Sequence, residues 1–285
     1  MKRLPGPASV AARLSRSGLP KGFPPAMMSI AQDVLGLASG ALVGFSLGLV
    51  GGGGSVLAVP LMVYVVGVPS AHVAIGTSSV AVAVNAAFNL SAHARNGSVK
   101  WACALIFAAA GMAGALIGSH FGKMLDGQRL LALFAILMLA IAAVMLRSRR
   151  QGGAADVKLN WSNFPALAGF GLGAGMLSGF FGIGGGFLIV PALMMATGMP
   201  ILNAVSSSLV AVTAFGATTA ASYAWSGLVG WRLAGIFIAG GIVGGLAGVH
   251  AARYLAGRRG LLNVVFAAII ICVGISMLAR STGLI

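Results

Sequence analysis

The chain has 285 residues, of which 59% are hydrophobic and only 7% charged, and its mean hydropathy is +1.01. So few charges cannot cover the surface of a soluble domain of this size, so the composition excludes a soluble enzyme and favours a membrane protein. The formal net charge of +15 would suit a nucleic-acid partner. Beyond the N-terminal tail, however, the basic residues stand at the ends of apolar segments, which is typical of loops at a lipid surface. We therefore expect the lipid bilayer, and no nucleic acid, as a partner.

Residues 1–28 differ from the rest of the chain. They carry five basic residues, several prolines and no acid. Two interpretations stay open: a disordered basic tail, or upstream translation with Met27 or Met28 as the true start. In either case we exclude this tail from the fold.

The remaining chain consists of apolar segments that are long and do not alternate with polar residues. This pattern predicts an all-α, polytopic bundle of transmembrane helices rather than a barrel. The predicted segments are roughly 30–50, 54–67, 71–94, 99–122, 129–146, 165–181, 186–198, 202–225, 232–252 and 261–279. A polar linker, 148–163, divides a first repeat, 29–147, from a second repeat, 164–285.

The two halves repeat one another. The run Gly48-Leu-Val-Gly-Gly-Gly-Gly-Ser-Val-Leu-Ala-Val-Pro60 returns as Gly179-Phe-Phe-Gly-Ile-Gly-Gly-Gly-Phe-Leu-Ile-Val-Pro191. The halves align at an offset of 131, and of 130 after a one-residue gap, which pairs Trp101 with Trp231. Internal duplication is typical of secondary transporters, with the substrate held between the repeats.

The number of crossings has two solutions, because residues 30–67 are too long for one helix and each piece is short for its own crossing. Four crossings per half give parallel repeats, and five give inverted repeats. With four crossings per half, most basic residues lie on one side of the membrane, whereas with five they divide evenly between the sides. The charge distribution therefore favours eight crossings. Both solutions place the two termini on the same side, which we expect to be cytoplasmic.

Glycine clusters at the duplicated motif predict helix breaks at membrane depth. Freed backbone N–H groups and a restarting helix favour an anion there. A hinge or close helix crossing without a ligand is the alternative. The candidate substrate-binding glycines are Gly51, Gly52, Gly53, Gly54, Gly182, Gly184, Gly185 and Gly186.

Polar side chains follow each motif. Hydroxyl groups donate hydrogen bonds to an oxyanion without placing a charge in lipid, although helix capping or interhelical contact would explain them equally well. Asn85 and Asn89 share one helical face and either line a pathway or lock two helices together. The candidates are Thr77, Ser78, Asn85, Asn89, Ser207 and Ser208.

His72 and His93 are weaker candidates for a proton relay, with interfacial or packing roles as the stronger alternative. The sequence has no Ser-His-Asp set, metal cluster or carboxylate pair, so no catalytic site, metal or cofactor is predicted. The two cysteines, Cys103 and Cys272, lie in apolar runs and are interpreted as small packing residues.

These motifs resemble the TauE/SafE sulfite exporter family over roughly residues 33–280. The resemblance rests on Gly-x-Gly-Gly-Gly-x-x-x-Val-Pro in the two halves, on Gly-Thr-Ser-Ser at 76–79, and on the pairs Gly97…Trp101 and Gly227…Trp231. It implies a secondary transporter of the inner membrane for sulfite, sulfoacetate or a related small anion, with proton coupling. The two copies differ at three aligned positions. Gly52 aligns with Ile183, Ser55 aligns with Gly186, and Gly76 aligns with Ser206. Whether both halves contribute equally to a site therefore stays open.

The sequence thus predicts an exporter of a small anion, with a site near mid-membrane between the halves. A passive anion channel and a non-transporting subunit of a larger complex are the rival functions. A homo-oligomer is a further open alternative.

Overall fold

The computed structural model describes residues 30–95, 97–147, 164–182 and 186–254. The predicted tail, the linker 148–163 and the last apolar segment, 261–279, lie outside these residues, so the repeat boundaries stay predictions. Every regular element within the described ranges is helical. The prediction of an all-α, polytopic bundle is confirmed.

The first half contains four long helices and one short broken segment. They are α1 (Ile30–Val50), α2 (Ala71–Ala94), α3 (Trp101–Met124) and α4 (Gly127–Arg147). Between α1 and α2 lies the first short segment, residues 51–65. It consists of a 3-10 helix at Gly51–Leu57, one α-helical turn at Ala58–Pro60 and a π-helical turn at Leu61–Val65.

The described part of the second half follows the same order. It has α5 (Phe164–Phe181), α6 (Gly186–Thr197, with Pro191 inside it), α7 (Ile201–Trp225) and α8 (Trp231–Tyr254). Among the described residues, α1, α2, α3, α5, α7 and α8 are long and apolar enough to cross a membrane. The first short segment and α6 occupy equivalent positions, so the duplication extends to the elements.

Two glycine-lined helix pairs cross between the halves. A Cβ on Gly44 of α1 would overlap the carbonyl oxygen of Gly241 in α8, and one on Gly175 of α5 would overlap that of Gly111 in α3. Such backbone contact is possible only without side chains, and it is how membrane helices associate closely. Each half is therefore held by the first helix of the other.

The directions of the helices decide how the repeats are related. Contacts along α1 and α8 advance together, from Gly36 beside Leu233 to Gly48 beside Gly245, so these two helices are parallel. The side chains of Asn85 and Asn89 likewise meet Gly241 and Gly245, so α2 is parallel to α8 as well. Because α1 and α2 run in the same direction, the first short segment must carry the chain back between them.

The second half runs the opposite way. Gly76 of α2 contacts Tyr223 of α7, and Ala83 contacts Gly216, so α2 and its equivalent α7 are antiparallel. The repeats are therefore inverted, with five elements in the first half, and the preference for parallel repeats was wrong. The preference based on charge assumed that each short segment is a re-entrant turn, which would leave the helices before and after it antiparallel. In the structure α1 and α2 are parallel, so the short segment between them carries the chain back to the end where α1 began.

The centre of the bundle is formed by α2 and α7, the most buried of the long helices. Helix α2 starts at the hydroxyl of Ser70, which accepts a hydrogen bond from Val73 N at 3.4 Å and caps the first turn. The candidate hydroxyl and amide groups are on these two helices, so the fold places them at the core.

Candidate functional site

Each glycine break packs against the opposite half of the protein. Gly51 ends α1 with φ +72° beside Val205 of α7, and Gly182 ends α5 with φ +66° beside Ile75 of α2. Positive φ is the left-handed region that favours glycine at a helix end. The two breaks are thus equivalent in backbone conformation and in the neighbours they meet.

Hydroxyl groups and backbone groups satisfy one another at the first break. The backbone N–H of Gly52 donates to Ser208 Oγ at 3.2 Å, and Ser208 Oγ donates to Val205 O at 2.7 Å. Ser55 Oγ donates to Gly52 O at 2.9 Å. Gly54 packs tightly against the backbone of α1. The Gly52 amide, which we expected to face an anion, is instead bound by Ser208, one of the predicted substrate-binding residues.

The second break is held by a serine that the sequence analysis did not single out. Ser79 Oγ lies 2.9 Å from Gly182 O and 2.7 Å from Ile75 O, so one hydroxyl joins α2 to the end of α5. Its neighbour Ser78 donates to Ile75 O at 3.1 Å. Gly184 and Gly185 lie outside the described residues, and Gly186 is the first residue of α6. Gly53 lies within the 3-10 helix of the first short segment.

Thr77 and Ser207 anchor turns of the opposite half. Gly230 N donates to Thr77 Oγ1 at 2.9 Å, and Lys100 N donates to Ser207 Oγ at 2.9 Å. Both acceptors hold the residue just before a long helix begins. These two hydroxyls therefore bridge the halves at symmetry-related positions.

The two breaks lie at opposite ends of the bundle. Ser208 contacts the first break, whereas Tyr223 lies level with the part of α2 that contacts the second. Ser208 and Tyr223 are separated by about four turns of α7, roughly 22 Å at 1.5 Å per residue. Gly51 and Gly182 therefore do not lie in one site, because inverted repeats end α1 and α5 on opposite sides.

Asn85 and Asn89 lie in the second half of α2, where it packs against α8. They are 0% and 1% exposed. Asn89 Nδ2 donates to Asn85 O at 3.0 Å, but neither amide atom of Asn85 has a hydrogen-bond partner among the described residues. The Asn85 amide lies against the backbone of Gly241, where a Cβ would overlap it. A buried amide without partners costs about 1–3 kcal/mol, and the contacts of the described residues give no compensation for that cost.

The equivalent helix contact in the other half is formed by aromatic rings. The offset of 130 places Phe215 at the position of Asn85 and Gly111 at the position of Gly241. Phe215 packs on Gly111 and stacks on Phe107 with ring centroids 6.1 Å apart. Of these two symmetry-related helix contacts, only the one between α2 and α8 therefore contains a primary amide.

The two candidate relay histidines lie at opposite ends of α2, about 30 Å apart. His72 Nε2 lies 3.1 Å from Leu125 O, so this nitrogen carries the proton, and His93 Nδ1 lies 3.4 Å from Ser206 Oγ. They cannot exchange a proton directly. Within the described ranges no group of three or more His, Cys, Asp or Glu side chains has a metal-binding arrangement.

A sequence model of the sulfite exporter TauE/SafE family matches residues 36–277. The chain belongs to this family. It is 50% identical over 261 residues to a "Probable membrane transporter protein" of Xylella fastidiosa strain Temecula1, covering 89% of this chain and 98% of that relative. It is 29% identical over 237 residues to the "Probable membrane transporter protein YunE" of Bacillus subtilis, covering 75% and 85%. No solved structure matches the chain. The TauE/SafE chain is a multi-pass membrane protein and a membrane transporter, as the resemblance implied.

Proposed function

We propose that this transporter exports a small anion, such as sulfite, sulfoacetate or a related sulfur-containing or organic anion. The observation that carries the proposal is the Asn85 amide, which is fully buried in mid-helix and has no partner among the described residues. The family description supports the substrate class. Asn85 and Asn89 would bind the anion, and the glycine–hydroxyl contacts at each end would open as it passes.

The chemistry of the buried groups suits an oxyanion. The buried hydroxyl and amide side chains of the described residues are those of serine, threonine and asparagine together with Tyr223, and none carries a charge. Neutral donors bind an anion without the cost of placing a formal charge in lipid. Asn85 Nδ2 offers two donors, and the side-chain oxygens of Asn85 and Asn89 offer acceptors. This mixture fits an anion that also carries a proton, such as hydrogensulfite.

Proton coupling is part of the proposal. His72 and His93 lie near the two ends of α2, and each would transfer a proton at its own end. Because His72 Nδ1 and His93 Nε2 are buried, this transfer would require local opening of the helix ends. We place the protein in the inner membrane with both termini cytoplasmic. Its partners are the small anion and the lipid bilayer, with no nucleic acid. Self-association as a homo-oligomer is compatible with this mode of transport.

The test is the flux of radiolabelled sulfite into proteoliposomes that contain the purified protein. Asn85→Leu keeps the number and branching of the side-chain heavy atoms and removes their hydrogen-bonding groups. We expect the flux to fall by about tenfold or more, because a lost hydrogen bond to a charged ligand is worth about 1.5–3 kcal/mol. The melting temperature should not fall through lost hydrogen bonds, since the amide of Asn85 forms none within the described residues. Ser91→Ala, on the same helix with an exposed hydroxyl that donates to Phe88 O at 2.7 Å, is the matched control.

Each rival function has its own outcome. Flux that ignores an imposed proton gradient and does not saturate would favour a passive channel. Purified protein that moves no anion but always co-purifies with one partner would favour a subunit of a complex. Equal fluxes in Asn85→Leu and Ser91→Ala would contradict the role of Asn85.

A further inference from the structure

A lysine side chain lies where α3 and α7 end, and the proposed function does not involve it. Lys123, in the last turn of α3, is partly buried. Its Nζ donates to Ser222 Oγ at 3.0 Å, to Ser222 O at 3.2 Å and to Ser226 Oγ at 3.1 Å. Two of these acceptors belong to Ser222 of α7 and the third to Ser226, the residue that follows α7, and all are neutral.

The charge of Lys123 is not balanced by a carboxylate of the described residues. Asp126, which follows in the next turn, accepts from Gln128 N at 3.2 Å, and Asp33 pairs with Arg232 at 2.7 Å. An ammonium with only neutral acceptors keeps its full charge, whose field extends over about one Debye length, ~8 Å at physiological salt. The end of the bundle is therefore attractive to anions.

Hydroxyl groups continue inwards from Lys123 along α7. The Lys123 ammonium lies 5.7 Å from the centre of the Tyr223 ring, and Ser119 Oγ donates to Ser222 Oγ at 2.9 Å. Tyr223 and, one turn deeper, Thr219 are both 0% exposed. Neither Tyr223 Oη nor Thr219 Oγ1 has a hydrogen-bond partner among the described residues. A cation followed by two buried donors without partners has the composition of an oxyanion site.

A purely structural role explains only part of this arrangement. A lysine that hydrogen-bonds a carbonyl near the end of a helix also stabilises that end, as Lys123 does at Ser222 O. That role leaves the hydroxyls of Tyr223 and Thr219 without a reason to be buried. If the fold needed the cluster, the other half would repeat it. The offset of 130 places Arg253 at the position of Lys123, and His93 and Asn89 at the positions of Tyr223 and Thr219. It places Val249 and Ala92 at the positions of Ser119 and Ser222, so the other half repeats the cation without this pair of serine hydroxyls.

We propose that Lys123, Ser222, Ser226, Tyr223 and Thr219 form a second anion site, at which a small oxyanion enters or leaves the transporter at this end only. The proposal rests on the proposed function in taking this oxyanion to be the transported one. Lys123 attracts the anion, and the hydroxyls replace part of its hydration shell as it moves towards the core.

Transport kinetics in right-side-out and inside-out vesicles test the site. Lys123→Gln keeps hydrogen-bond donors but removes the charge. We expect KM for sulfite to rise by about tenfold for entry from the Lys123 side alone, with kcat unchanged, because fixed charge raises the local anion concentration. Lys123→Arg should restore KM. The matched control is Arg129→Gln, which removes an exposed charge at the same end, and it should leave KM within about twofold because exposed charges are screened.

Equal KM values for Lys123→Gln and Arg129→Gln would overturn the site and leave Lys123 as a helix cap. Tyr223→Phe gives a second variant that keeps the ring and removes only the hydroxyl, and it should also raise KM. Binding is measured separately as the rise in melting temperature of the purified protein with increasing sulfite. A wild-type protein that moves no anion would contradict the proposed function. The second site fails if sulfite stabilises wild type and Lys123→Gln equally, or stabilises neither.

Discussion

Single hydroxyl groups join the two halves of the bundle at its glycine breaks. Ser208 Oγ accepts a hydrogen bond from Gly52 N and donates one to Val205 O. Because Ser208 is 0% exposed, no water replaces the acceptor if the side chain is removed. The stability of the first break should therefore depend on this one oxygen.

We expect Ser208→Ala to lower the free energy of unfolding by about 1–3 kcal/mol, the cost of a buried donor left without its acceptor. Reversible unfolding in mixed detergent micelles measures the change. Ser91→Ala, which removes an exposed hydroxyl bonded only within α2, should change the stability by about 0.5 kcal/mol or less. Equal losses in the two variants would show that the bond from Gly52 contributes little.

The sequence predicted that hydroxyl side chains near the motifs form contacts more reliably than it predicted which residue of a hydroxyl cluster forms each contact. It singled out Thr77, Ser78, Ser207 and Ser208 for their position after each motif, and all four hydroxyls form hydrogen bonds. Ser79 and Thr219 stand in polar groups that the sequence shows, but neither was chosen as a candidate, because the choice between neighbouring hydroxyls depends on how each helix is rotated against its partners. Tyr223 was missed, although the offset of 130 aligns it with His93 and would have found it.

At the scale of elements, close backbone contact of α3 with α5 replaces side-chain interlocking. Glycines of both helices lie against main-chain atoms of the partner. Within α5, Gly175 would bring a Cβ into the carbonyl oxygen of Gly111, whereas Gly173 has nothing within 4 Å of that position. Two glycines that are nearly adjacent thus have opposite environments.

Gly175→Ala should lower the free energy of unfolding by about 1–3 kcal/mol, because the added methyl group forces the helices apart. Gly173→Ala should leave it unchanged or raise it by up to about 1 kcal/mol, since alanine is the better helix former. Both variants are measured in the same micelles, so intrinsic helix propensity cancels in the comparison. A stable Gly175→Ala variant would mean that α3 and α5 can separate without loss.

The helices themselves were predictable, but their partners were not. The segment 71–94 was predicted with the bounds that α2 has, because apolar length and the flanking proline and basic residues are local signals. Small residues four apart predict that a helix packs closely against another, but they do not indicate which helix is the partner. Pairing of α1 with α8 and of α3 with α5 is set by the whole bundle.

For the whole molecule, inversion of the repeats splits the basic residues between the two ends. The turn after α2 and the turn after α7 are equivalent in sequence but lie at opposite ends, since α2 and α7 are antiparallel. A rule that assigns sides by counting basic residues therefore finds no excess at either end. The described lysines and arginines divide three to four: Lys123, Arg129 and Arg232 lie at one end, and Arg95, Lys100, Arg147 and Arg253 at the other.

Cysteine labelling tests the inversion at two equivalent exposed positions, Arg95 after α2 and Trp225 at the end of α7. In a chain whose native Cys103 and Cys272 are replaced by Ala, Arg95→Cys and Trp225→Cys should react with a membrane-impermeant maleimide from opposite sides. Intact cells and inside-out vesicles distinguish the sides, and detergent-solubilised protein shows that both thiols react. Labelling from one side would require parallel repeats. Opposite labelling would place the Lys123 site and the Ser208 contact on different faces of the membrane, as an entry site at one end only requires.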